Sequence, residues 1–429
     1  MVSAIRWSGA MLLAACLGCV SGSTQQGGTP PGASIPAAPD AACEPVDAAP
    51  EAAGMDASGL QGIDKAVTDA IAAGELPGAV VVVARHGKVV YRKAFGMRAV
   101  APAPEAMTVD TIFDIASLSK VVATTPAVMQ LAERGAVDLN APVKRYLPRF
   151  AGGGKDAITV RQLLTHYSGL RPDFDLSVEW SGYDAAIGEL YKEKVVAEPG
   201  RKFAYSDLNF IALAEIVRVV SGQRLDAYAE EHIFAPLGMD ETAFTPPAAW
   251  RDRTAPTEPR KNTLKYLKGK STLPEYDAIL RGDVHDATTW RMDGVSGHAG
   301  VFSTARDLTL YAQALLDRGA FCRDCGGARV DGRLMSEASF AAMTSPQSPA
   351  GAAQVRGYGW DIASTYASPR GNLPEGGFGH TGFTGTSIWI HPPSDSFIII
   401  LSNRVHPAGG KNINRLRSAV ANAVAAAMR

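Results

Sequence analysis

Cysteine is scarce in this chain: five residues in 429, with Cys16, Cys19 and Cys43 near the start. Only Cys322 and Cys325, in AFCRDCGG, are left for the body of the protein. Two thiols cannot close a zinc site, which takes four ligands. A thioredoxin-like redox role lacks its accompanying βαβ pattern. The pair is therefore read as a local disulfide formed in an oxidising compartment. An excess of either charge is also missing. Lys+Arg 42 against Asp+Glu 43 leaves no basic face, which argues against nucleic acid and other polyanionic partners. No apolar run is long enough to span a bilayer, and no repeat of 20–50 residues is present. What remains, 46% hydrophobic and 20% charged, is globular composition with ample length for a full core.

The first residues, MVSAIRWSGAMLLAACLGC, hold one cation, Arg6, then a short apolar run, then small residues. Leu13-Ala14-Ala15-Cys16 resembles the lipobox of bacterial lipoproteins, with Cys19 as the alternative lipidated residue; the other reading is an ordinary secretory signal. Either way residues 1–19 direct the protein out of the cytoplasm. The lipobox implies a bacterial cell-envelope (periplasmic) location and membrane contact only through the lipid. Residues 20–55 are dense in Pro, Gly, Ala, Ser and Thr and read as a flexible tether.

The folded domain is expected over 56–429. MDASGLQGIDKAVTDAIAAG has helical spacing at Leu60, Ile63, Val67 and Ile71, with Gly74 as a stop. Two β-rich runs flank His86-Gly87, and two more flank Pro392-Pro393-Ser394-Asp395. An apolar helix is predicted over 119–134, with Pro126 kinking it or falling in its first turns. The stretch 135–290 reads as mainly helical with long loops, and a last helix as 412–428. Strands at both ends with helices between predict an α/β fold. Its centre is a mixed, mainly antiparallel sheet flanked by helices, with a helical subdomain inserted at roughly 135–290 and the site between the two parts.

The chemistry begins at IASLSKVVAT. Ser117 and Lys120, at i and i+3, share a helix face. A serine hydroxyl needs a base before it attacks, and a helix start offers free N–H groups for an oxyanion. Alone the spacing is also that of a helix-start serine beside a solvated lysine. Two companions follow: Tyr205-Ser206-Asp207 ahead of an apolar helix, and His380-Thr381-Gly382 ahead of an apolar strand.

Ser-x-x-Lys, Tyr-Ser-Asp and His-Thr-Gly, in that order, resemble the serine β-lactamase and penicillin-binding-protein superfamily, best its class C branch of D,D-peptidases and esterases. FDIASLSK, LLTHYSGL, EPGRKFAYSDLNF, GHAGVFSTARDL, YGWDI and GHTGFTGTSIWI extend the resemblance from about residue 58 onward. It implies that Ser117 forms an acyl-enzyme, that Lys120 or Tyr205 takes its proton, and that Tyr205 then serves the leaving group. His380 would tune Tyr205 or hold a substrate carboxylate. The N–H groups of Ser117 and Phe383 would form the oxyanion hole. Asp207, Thr381, Gly382 and His298 would line the substrate site. No metal and no organic cofactor is implied, and the partner is a small-molecule or peptide substrate.

Two positions depart from the β-lactamase pattern. Asp207 stands where those enzymes have Asn, and His380 where they have Lys. Ionised Asp only accepts hydrogen bonds. These departures favour an esterase or D,D-carboxypeptidase-like hydrolase over a β-lactamase. A third reading is a silent lipoprotein that binds peptidoglycan peptides. His285, Asp286 and His298 are expected to cluster beside the pocket, and His166 to hold the loop after its helix.

Overall fold

The computed structural model describes residues 44–264, 276–324 and 328–428. The export signal, Cys16, Cys19, Cys43, the tether up to residue 43 and Cys325 lie outside them. Cys322 is disulfide-bonded. The folded part begins earlier than composition suggested. Val46–Asp47 pairs in parallel with Lys88–Val89, and Ala53 and Met55 are buried in the core.

Among the described residues the main sheet has nine strands. Its order is Val46–Asp47, Lys88–Ala99, Gly78–Arg85, Ser396–Ser402, Ser387–His391, Phe378–Thr381, Asp361–Ala363 and Val355–Arg356, with Glu105–Ala106 beside Lys88–Ala99. Every pairing but the first is antiparallel. N-terminal and C-terminal chain meet at the centre, where Gly78–Arg85 pairs with Ser396–Ser402. The hairpin before it turns on His86 (φ 53°) and Gly87 (φ 67°), both left-handed, as a tight two-residue turn prefers.

Both faces of this sheet are covered, which is why its central strands read as unbroken apolar runs. Val80, Val82, Ala84, Phe397 and Ile399 enter one core. Ala79, Val81, Val83, Ile398 and Ile400 enter the other, alternating as strand geometry requires. The second core is closed by the terminal helices Ala57–Ala72 and Asn414–Ala427. They pack so closely that a Cβ at Gly59 would lie 2.8 Å from the Ala427 Cα.

Among the described residues, those between 107 and 354 lie outside the main sheet. Helices Thr125–Glu133, Asp207–Ser221 and Ala305–Leu316 share one continuous core with the sheet's other face. Pro126 sits in the first turn of Thr125–Glu133, which continues the helical turn before it, and the Val121 carbonyl, which its missing N–H cannot serve, accepts from Tyr311 Oη. A π-helical turn, Lys120–Thr124, precedes it. A small antiparallel sheet of Phe113–Asp114, Val301–Ser303 and Ala243–Phe244 ties the approach to Ser117 to the segment after His298.

Candidate active site

Ser117 lies in a single 3-10 turn, Ala116–Leu118, just after the strand Phe113–Asp114. Ala116 has φ 48°, a left-handed conformation costing a non-glycine residue on the order of 1–3 kcal/mol. Buried polar contacts hold it there. The N–H groups of Ala116 and His285 each donate to the Asp114 carboxylate at 2.8 Å. Thr384 and Thr386 hydroxyls donate to the carbonyls of Asp114 and Ile115 at 2.7 and 3.0 Å. The segment after strand Phe378–Thr381 is thereby pinned against the Ser117 turn. Gly382 permits the approach: a Cβ there would sit 2.0 Å from Thr386 Oγ1 and 2.5 Å from the Ile115 carbonyl oxygen.

Lys120 is fully buried. Its Nζ donates to Ser117 Oγ at 3.0 Å and to the His298 carbonyl at 3.0 Å, and lies 2.6 Å from Asp207 Oδ1. It also stands 4.9 Å from the Tyr205 ring centre. Burial disfavours the ammonium, but Asp207 and then Tyr205 outweigh it, and the lysine pKa is raised.

Tyr205 stacks on His166, with ring centres 4.3 Å apart. His166 is buried at φ 60°, and its Nδ1 accepts the Ser206 N–H at 3.0 Å. It thus fixes the start of Asp207–Ser221, from which Asp207 reaches Lys120. On Tyr205's other side stand His380 and Tyr366, at 6.1 and 5.3 Å between ring centres. His380 is buried, and its Nδ1 donates to the Thr381 carbonyl at 2.9 Å. Burial, then Arg356 and Lys120, push its pKa well below 6.5. The imidazole is therefore neutral, with Nε2 unpartnered among the described residues. It adds no positive charge to the cavity, which Arg356, Arg404 and Arg417 also line.

The cavity holds about 320 Å³ and brings together Ser117, Tyr205, His380, Thr381, Gly382 and Phe383. Neither the Ser117 nor the Phe383 backbone N–H has an acceptor among the described residues. Both are free for an oxyanion. The Phe383 side chain is 59% exposed and lies between Arg404 (4.7 Å) and His285 (5.5 Å).

The expected cluster of His285, Asp286 and His298 is divided. His298 is buried, with Nε2 2.8 Å from Asp286 Oδ1 and Nδ1 2.8 Å from Ser296 Oγ. His285 instead meets Glu258, Nε2 to Oε1 2.8 Å. Adjacent residues ahead of the helix Ala287–Arg291 point their side chains apart, so Asp286 caps that helix while His285 faces Phe383. His298 reaches the site through its backbone carbonyl, on Lys120, rather than through its ring.

Sequence reading missed Arg356 and Arg417. Arg356 is fully buried, 3.5 Å from Asp361 and 2.8 Å from the Gly359 carbonyl. Arg417 donates to the carbonyls of Gly382 and Thr386 at 3.1 and 2.8 Å, bracing the Gly382–Thr386 loop. Arg356 stands just ahead of YGWDI, a stretch the sequence did single out. Arg417 lies in an otherwise unremarkable helix.

Residues 63–423 match the Beta-lactamase family. The chain belongs to that family. Among relatives of this Beta-lactamase family member is a Bacillus subtilis (strain 168) protein named N-acetylmuramyl-L-alanine amidase, 32% identical over 81% of each chain. An Escherichia coli (strain K12) protein named "Putative D-alanyl-D-alanine carboxypeptidase" is 29% identical over 82% of this chain and 84% of its own. A structure described as a class C beta-lactamase superposes with a TM-score of 0.67 at 20% identity, covering 87% of this chain and 97% of that one. EstCE1, described as a hydrolase with promiscuous acyltransferase activity, gives 0.64 at 23% identity, over 86% and 98%. At these identities the structural likenesses speak to fold, and they match the mixed, mainly antiparallel α/β architecture expected from sequence.

Proposed function

We propose that this hydrolase forms an acyl-enzyme at Ser117 and hydrolyses an ester or a D-Ala-type amide. One observation carries the reading: Lys120 Nζ lies 3.0 Å from Ser117 Oγ, in a cavity with two free backbone N–H groups. Lys120, paired with Asp207, is an ammonium that donates to Oγ and cannot also take its proton. The base is then Tyr205. Ser117 Oγ attacks the carbonyl carbon as its proton passes to the oxygen of Tyr205, which acts as a phenolate beside the Lys120 ammonium and becomes the phenol. The N–H groups of Ser117 and Phe383 receive the oxyanion. The carbon–leaving-atom bond breaks as Tyr205 returns the proton to the leaving atom. Water repeats the sequence and frees the acid and Ser117.

The carboxypeptidase and amidase names of the relatives support a cell-wall amide as substrate class. The engagement of Asp207 by Lys120 supports an ester or peptide over a β-lactam, because the carboxylate offers no amide donor to a substrate. A serine-directed acylating agent followed by mass spectrometry tests the nucleophile. An adduct on the Ser117 peptide is expected; an adduct of equal yield on Ser117→Ala protein would overturn the role. A panel of a short p-nitrophenyl ester, a D-Ala-D-Ala peptide and a chromogenic cephalosporin tests the substrate. Faster cephalosporin turnover would reverse the order proposed.

We also propose that the chain is exported to the bacterial cell envelope and held by a lipid on Cys16. A palmitate analogue should label wild type and not Cys16→Ala. Label lost only in Cys19→Ala would move the anchor to that residue.

A further inference from the structure

A second groove, of about 750 Å³, adjoins the catalytic cavity. The two share Tyr205 and Tyr366, so these rings form the ridge between them. The groove runs from that ridge along Phe203 to Lys202 and Arg201. Its opposite wall is built rather than loose. The Gln354 carbonyl accepts from Tyr167 Oη at 3.0 Å, and its Oε1 accepts from the Thr365 N–H at 2.9 Å.

Its charge is one-sided. Arg201 and Lys202 line it and no Asp or Glu does. Lys202 has no ion pair among the described residues. Arg201 touches Glu198 at 3.3 Å, but both side chains are mostly exposed (75% and 69%), where such a pair is worth little. The groove therefore offers an aromatic floor and a cationic far end, in the size range of sites that hold a ligand.

Its position relative to Tyr205 says which part of a substrate it serves. Tyr205 returns the proton to the leaving atom, so that atom lies within its reach. Tyr205 and Tyr366 line both cavities, so a group carried by the leaving atom can pass over Tyr366 into the groove. We infer that this groove receives the leaving-group half of the substrate, an extended chain that ends in a carboxylate held by Lys202 and Arg201. The inference rests on the assignment of Tyr205 above. It narrows the substrate class to peptide-like molecules whose leaving part is longer than one residue.

The test separates binding from turnover. Two peptides with the same acyl half and the same four-residue leaving half, one ending in a carboxylate and one in a carboxamide, are titrated onto Ser117→Ala protein by fluorescence anisotropy. The carboxylate peptide is expected to bind about threefold tighter at low salt. That advantage should shrink as ionic strength rises and vanish in Arg201→Glu/Lys202→Glu protein, where both altered side chains are exposed. Equal affinities, an advantage that survives charge reversal, or no binding of either peptide at millimolar concentration overturns the inference. Failure of the hydrolase reading shows elsewhere, as absent or Ser117-independent turnover of the short ester by wild type, and does not touch this binding measurement.

Discussion

Lys120 Nζ and Asp207 Oδ1 lie 2.6 Å apart, the lysine fully buried and the carboxylate 23% exposed. Removing one partner of such a pair strands the other. Lys120→Met should destabilise the protein by about 2–3 kcal/mol, less than a fully buried carboxylate would cost because Asp207 keeps some water. Lys120→Met/Asp207→Leu should recover at least half of that loss. Urea unfolding of both variants checks this, and additive losses would show that the pair is not coupled.

Gly382→Ala should lower kcat for the short ester by about a hundredfold, because its Cβ would overlap Thr386 Oγ1 and the Ile115 carbonyl. Stability should fall by only about 1–3 kcal/mol. A variant with unchanged kcat would show that the Phe383 N–H need not stand where it does.

Asp286→Ala removes a helix cap and the partner of His298 together. The expected loss is about 2–4 kcal/mol, with a drop in kcat because His298 supplies a carbonyl to Lys120. His285→Asn, which breaks the side-chain pair with Glu258 but keeps the backbone N–H bond to Asp114, should leave kcat within about threefold. Thermal melts and ester kinetics on the two variants distinguish them, and the opposite ranking would reinstate His285 as part of the nucleophile's support.

His166 and His380 are held neutral by burial and then by Arg356 and Lys120, with pKa values well below 6.5. Their contribution to stability is full above about pH 6.5. It is lost as pH falls from there toward the depressed values, by about 1.4 kcal/mol per pH unit per histidine. His298 has the opposite sign. Burial disfavours its charge, but Asp286 and then Asp207 outweigh it and raise its pKa. Its contribution is full below about 6.5 and is lost as pH rises through the raised value. Asp307 and Asp317, raised to about 6 by burial, and Asp173, raised to about 7, slope the other way on the acid side. The histidine contributions are therefore read as differences between variant and wild type in urea unfolding from pH 5 to 8. His380→Gln should flatten the acid side, and an acid slope unchanged by that substitution would remove His380 from the account.

The four residues Ser117, Lys120, Tyr205 and His380 were legible because each sits in a short motif at the start of a helix or beside a strand. Arg356 and Arg417 were not, because an arginine bonded to backbone carbonyls leaves no local pattern. His285 and Asp286 show the same limit in reverse: adjacency in sequence suggested one cluster, and the helix cap at Asp286 separated them.

Local sequence by itself determined the strands around His86-Gly87 and around Pro392-Asp395, the helices of both termini, and the order of the three motifs. Apolar period, turn residues and caps act within a few positions of one another, so they can be read without knowing the fold. Tertiary structure alone decided the order and register in which strands more than 300 residues apart meet at the sheet centre. It also decided that Asp207 spends its charge on Lys120, and that His380 sits among cations and stays neutral. Those outcomes depend on burial and on charges brought in from distant segments, and neither is written in the neighbours of any one residue.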